Sequence, residues 1–117
     1  MANPQPEDQG IHINVDEVCE KLHVPKEVYL RIVRKSFETT TKDIQDLSAA
    51  IFADDYAIMA AVAHRLKGTY GNLRIMDLSV LAQQMNELAK SKQGKEKIAA
   101  FLEQFKICFA QVQKIFA

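Results

Sequence analysis

Glycine and proline are scarce, four and three in 117 residues, and two of the prolines fall in the first six positions. Hairpin turns need such residues, so the composition argues against a sheet and favours helices. Cysteine is nearly absent. Cys19 and Cys108 lie far apart with no CxxC or His/Cys spacing, which argues against a structural zinc site and fits a reducing compartment. Both thiols are expected to be small buried apolar groups. An excess of either charge is missing too: fifteen Lys+Arg balance fifteen Asp+Glu, leaving no bulk field to attract nucleic acid or an anionic membrane. No apolar run approaches the roughly 18 residues of a membrane span, and the N-terminus lacks the basic-then-apolar order of a secretory signal. The expected location is cytoplasmic. There is no Gly-x-x-x-x-Gly-Lys-[Ser/Thr] loop and no glycine-rich nucleotide lid, so autonomous kinase or ATPase chemistry is not expected. His12, His23 and His64 fall on separate elements without His-x-x-x-His or Glu-x-x-His spacing, which argues against a metal or haem site in a bundle.

What the chain does have is helical periodicity. With 48% hydrophobic and 26% charged residues, it fits one domain. Met1 to about His12 is polar and proline-containing and reads as a flexible tail, so residues 1–13 are assigned to a tail and residues 14–117 to the domain. Asn14 caps a short helix from Val15 to about His23. Leu30, Val33, Phe37, Thr40, Ile44, Leu47 and Ile51 then follow at alternating spacings of 3 and 4, predicting one helix over about Pro25–Phe52, with Thr39-Thr40-Thr41 a place for a bend. Asp54-Asp55 can cap the next helix, about Ala57–Tyr70. Ile75, Leu78, Leu81, Ala82, Met85 and Leu88 stripe a helix ending near Lys90. After a Ser91–Gly94 loop, Ile98, Phe101, Leu102, Phe105, Cys108, Phe109, Val112 and Phe116 face inward from a helix over about Lys95–Phe116. The expected fold is all-α: an up-down-up-down four-helix bundle with a short extra N-terminal helix across it. Such a bundle has no large interior pocket by default, which places function on its surface.

One stretch is hard to explain by folding alone: Ala63-His64-Arg65-Leu66-Lys67-Gly68-Thr69-Tyr70-Gly71-Asn72-Leu73. A helical wheel puts Ile58, Val62, Leu66, Thr69 and Leu73 on the core face and His64 nearly opposite, among Ala57, Ala60, Ala61, Gly68 and Gly71. A solvated face normally carries Glu, Lys, Gln or Arg; this one carries small residues. Glycine inside a helix costs roughly 0.5–1 kcal/mol relative to alanine. At i+4 from His64, a side chain on residue 68 would lean back over the imidazole, so Gly68 opens access to the ring. Lys67 adds a compact cation suited to an anion on that ring. The alternative is an ordinary exposed histidine, with Gly71-Asn72 acting as a helix stop.

His64-Arg65-Leu66-Lys67-Gly68-Thr69, preceded by Ala63 and followed by Gly71 and Leu73, resembles the signature of histidine-containing phosphotransfer domains. The motif departs at Tyr70, where a small residue is usual, and at Arg74, where glycine is usual. The resemblance implies that Nε2 of His64 takes the phosphoryl group from a receiver-domain phosphoaspartate, or from a histidine kinase, and passes it to another response-regulator receiver. The chain would be a carrier, not an enzyme. Lys67 and Gly68 would serve the transfer, Arg65 and Gly71 would support it, and Asn86, or failing that Gln83, would be the amide near the histidine or its phosphate. A hydrogen-bond acceptor at Nδ1 would fix the tautomer that leaves Nε2 free. No cofactor is expected on the chain itself, and Mg2+ is expected on the partner receiver. The implied partners are response-regulator receivers and a hybrid sensor histidine kinase, with no nucleic acid and no membrane, and the chain is expected to be a monomer. The competing reading is a helical adaptor or inhibitor that binds receivers or kinases without carrying phosphate.

Overall fold

The computed structural model describes Ile11 and residues 13–117, so most of the expected tail lies outside the described residues. Among the described residues there are five helices and no strand: α1 Val15–Leu22, α2 Lys26–Phe52, α3 Tyr56–Asn72, α4 Met76–Lys90 and α5 Lys95–Ile115. Their starts follow local chemistry. Asn14 Oδ1 accepts the Glu17 amide at 3.0 Å, and Asp55 Oδ1 accepts the Ile58 amide at 3.1 Å. Both side chains satisfy amides that the first turn leaves without a helical partner. Pro25 sits at the N-cap of α2, where its missing N–H is no loss.

The helix ends share one device. His23, Asp54, Arg74 and Lys92 close α1 to α4 with φ of 59°, 58°, 62° and 59°. In each case the next residue's amide returns to a carbonyl five positions back: Val24 to Cys19, Asp55 to Ala50, Ile75 to Tyr70 and Gln93 to Leu88, at 2.9–3.4 Å. This is the Schellman closure, which usually places glycine at the left-handed position. Here four other residues take it, so a chain with few glycines still makes tight turns.

Along the chain, α2 packs on α3, α3 on α4 and α4 on α5, while α5 returns to α2. Tyr29, Val33 and Leu47 from α2 meet Met59, Leu66 and Tyr70 from α3, Leu78 and Met85 from α4, and Ile98, Phe105 and Val112 from α5 in one core. Phe37 packs edge-on to Phe109, with ring centroids 5.5 Å apart, a favourable aromatic geometry. Cys19 and Cys108 are free and buried. Ile11 and Ile13, from the stretch assigned to the tail, are half-buried against this core. The helix through Thr39-Thr40-Thr41 is unbroken.

The core stripe of α3 differs from the expected one. Ile58 is 46% exposed and Thr69 only half-buried, while Met59, Val62, Ala63, Leu66 and Tyr70 point inward. The helix is rolled toward Tyr70 because that phenol finds hydroxyl partners in the core: Tyr70 Oη lies 2.5 Å from Thr40 Oγ1 and 3.4 Å from Ser36 Oγ. Burial raises the Tyr70 pKa, and the bonds to Ser36 and Thr40 oppose that rise.

Candidate functional site

His64 lies midway along α3 and is exposed, and its imidazole bonds to no described residue. None of the described residues supplies the acceptor expected at Nδ1. Ala57, Ala61 and Gly68 are exposed with it, while Ala60 and Gly71 are half-buried. The two glycines separate cleanly. A Cβ built on Gly71 would meet Ser79 Oγ at 3.3 Å, whereas one built on Gly68 would meet nothing within 4 Å. Gly71 thus serves the close approach of α3 to α4, inside the helix and not as its stop. Among the described residues, nothing requires Gly68 to lack a side chain. Its helix penalty has no return inside the protein, and the space it leaves faces solvent beside the histidine.

Two polar side chains of α4 fasten the backbone beneath the ring. Asn86 Nδ2 donates to the Ala60 carbonyl at 2.9 Å, and Ser79 Oγ donates to the Lys67 carbonyl at 3.0 Å. Both donors are buried, seven residues apart on α4, and their acceptors are seven apart on α3. They bracket His64, one a turn before it and one just after. By helix geometry, the Ala60 carbonyl is also the one that receives the His64 amide. Asn86 therefore reaches the turn that carries the histidine, but its Nδ2 goes to the backbone and not to the imidazole. Gln83 is exposed, and its Nε2 donates to Glu87 Oε2 on its own helix at 3.1 Å.

The two cations flanking His64 stand in different states. Lys67 is half-buried and pairs with no acidic side chain among the described residues. Arg65 reaches across to α2, where Nη2 donates to Asp43 Oδ1 at 2.7 Å and Nε donates to the same oxygen at 3.2 Å. Hydrogen bonding to Asp43 raises the guanidinium pKa, against a smaller opposing effect of partial burial. The Asp43 side chain is 5% exposed and that of Arg65 50%. Asp43 is a site neighbour that sequence reasoning missed. A signal was present, because Asp43 lies three residues after Thr40 and four before Leu47, on the inward register of α2.

The two motif departures lie away from the histidine. Tyr70 is buried. Arg74 closes α3 in the left-handed conformation, and its Nη1 donates to the Gly71 carbonyl at 3.0 Å. A helix-terminal carbonyl so capped offsets part of the backbone cost of a non-glycine residue there. Tyr29 completes the end: its hydroxyl donates to the Leu73 carbonyl at 2.6 Å.

The bundle thus presents His64 to solvent, with a small-residue approach and a lysine beside it. The Hpt domain family model matches residues 31–115, and the chain belongs to that family, whose members take part in histidine phosphotransfer in phosphorelays. No curated protein and no solved structure matches the chain.

Proposed function

We propose that this chain is a phosphorelay intermediate with His64 as its acceptor. Nε2 attacks the phosphorus of a receiver phosphoaspartate or of a kinase phosphohistidine. The new N–P bond forms as the old bond to phosphorus breaks, and the departing side chain keeps the electron pair. The reverse chemistry onto another receiver discharges the group. Lys67 stabilises charge on the transferring phosphoryl oxygens, as cations do in phosphoryl transfer generally. Magnesium belongs to the receiver's site in this reading; among the described residues no cluster of three or more His, Cys, Asp or Glu could hold a metal ion. The protein acts as a cytoplasmic monomer without kinase activity of its own, and its long helices alternate in direction through short connections.

The observation that carries the proposal is Gly68: an exposed, helix-destabilising residue with open space where its side chain would be, one turn from an exposed histidine. Docking of a receiver over Ala57, Ala61 and Gly68 makes use of that space. A non-phosphorylated adaptor needs neither the histidine nor the lysine. Tyr70 and Arg74, the two departures from the motif, sit in the core and at the helix end.

The test is incubation of the purified protein with receiver domains phosphorylated by a small-molecule donor, following acid-labile, base-stable phosphate on this chain. Acceptance from at least one receiver is the expected result. Binding without label across a panel of receivers would favour the adaptor.

A further inference from the structure

We infer that Asp43 is a positioning residue for the acceptor site: it holds the Arg65 guanidinium on α2 and so withholds a positive charge from the phosphoryl group on His64. The inference rests on the proposed phosphate-carrying role of His64. Arg65 is adjacent to that histidine in the chain. Half of its side chain is in solvent, so it is long and free enough to turn toward an anion on the neighbouring ring. A buried carboxylate holds it instead, through donors at 2.7 and 3.2 Å. A buried carboxylate without a partner is strongly unfavourable, which makes Asp43 reluctant to release the arginine. Lys67 alone is then left to meet the phosphate.

The consequence concerns how tightly the phosphate is kept. In the transfer, Nε2 forms its bond to phosphorus while the P–O bond to the receiver aspartate breaks, and the aspartate leaves as carboxylate. A relay must also release the group, so the ratio of phosphohistidine to phosphoaspartate at equilibrium should not be driven too far either way. A second cation close to a dianionic phosphoryl group would favour the phosphohistidine side. At a separation of roughly 10 Å in water, a unit charge beside a dianion shifts such a ratio by about twofold at low ionic strength. The Asp43–Arg65 pair keeps that contribution near zero.

The experiment measures the equilibrium ratio with one phosphorylated receiver, at about 20 mM and about 500 mM salt and about pH 8, for wild type, Asp43→Asn, Arg65→Gln and the double variant. Asp43→Asn frees the cation and raises the ratio about twofold at low salt, and high salt removes most of the rise. Arg65→Gln leaves the carboxylate uncompensated and lowers the ratio. The double variant returns close to wild type at both salts. A purely structural role would not give opposite signs, salt dependence and cancellation together. The proposal is overturned if Asp43→Asn leaves the ratio unchanged, or shifts it equally at both salts, or if the double variant stays displaced. Should Asp43→Asn fail to fold, Asp43→Ser, which also removes the carboxylate, decides: a ratio raised at low salt only supports the proposal, and an unchanged one overturns it. A wild type that accepts no phosphate from any receiver would refute the carrier role itself, and this inference with it.

Discussion

Gly68 lets stability and transfer be separated by one substitution. Replacing it with alanine adds a methyl group that meets nothing within 4 Å, so no packing strain opposes the gain in helix propensity. The variant is expected to be more stable by about 0.5–1 kcal/mol. For a domain of this size, that raises the melting temperature by roughly 2–5 °C. Glutamine, another good helix former, gives a similar gain but puts a long side chain over the approach to the imidazole. Transfer from a phosphorylated receiver is therefore expected to fall modestly for Gly68→Ala and by roughly tenfold or more for Gly68→Gln, the equivalent of about 1.4 kcal/mol lost at the docked complex. Urea denaturation followed by circular dichroism measures the first quantity, and single-turnover transfer the second. The reasoning is refuted if either variant is destabilised, since the glycine would then serve the fold, or if transfer by Gly68→Gln is unchanged, since access would then not be what it supplies.

Lys67→Ala is expected to slow transfer roughly tenfold or more while leaving the denaturation free energy within about 0.5 kcal/mol, because the lysine pairs with no described acidic residue; wild-type transfer would remove its electrostatic role. Arg74→Ala keeps the left-handed backbone but loses the bond to the Gly71 carbonyl, so it should be about 0.5–1 kcal/mol less stable, whereas Arg74→Gly should at least match wild type. Equal stability of wild type and the alanine variant would show that the guanidinium cap contributes nothing. Alkaline pH should unfold the protein. Burial pushes the Tyr29 hydroxyl from 10.0 up to about 12 and the Cys108 thiol from 9.0 up to about 12. Between those limits the folded state holds protons that the unfolded state has lost, so stability is complete below about pH 9 and falls as pH rises, by roughly 1.4 kcal/mol per unit for each group. Thermal melts from about pH 8 to about pH 11 check this, and a flat profile would contradict it.

The helices were legible because their signals are local: caps at Asn14 and Asp55, Pro25 at the start of α2, and apolar spacings of 3 and 4 that ran without a phase break. The exposure of His64 was legible for the same reason. Residues whose roles depend on a partner far along the chain were not. Tyr70 read only as a departure from the usual small residue, since nothing local reveals that Thr40, thirty residues earlier, offers its hydroxyl a place in the core. With Tyr70 turned inward beside Met59, Val62, Ala63 and Leu66, Ile58 lies at the surface. Asp43 went unnoticed because its partner lies 22 residues away. Asn86 was expected near the histidine or its phosphate; in the structure its Nδ2 donates to the Ala60 carbonyl, one turn before His64. Gly68 and Gly71 share one face of the helical wheel, and only their surroundings distinguish a glycine kept for helix contact from one whose space is left open.

The central claim is that His64 carries the phosphate. The most direct measurement compares wild type with His64→Gln after incubation with a phosphorylated receiver, scoring acid-labile, base-stable phosphate on this chain and confirming equal helical content by circular dichroism. Label is expected on the wild type and none on the variant, with both folded. Label of the same amount on folded His64→Gln would contradict it and place the acceptor elsewhere.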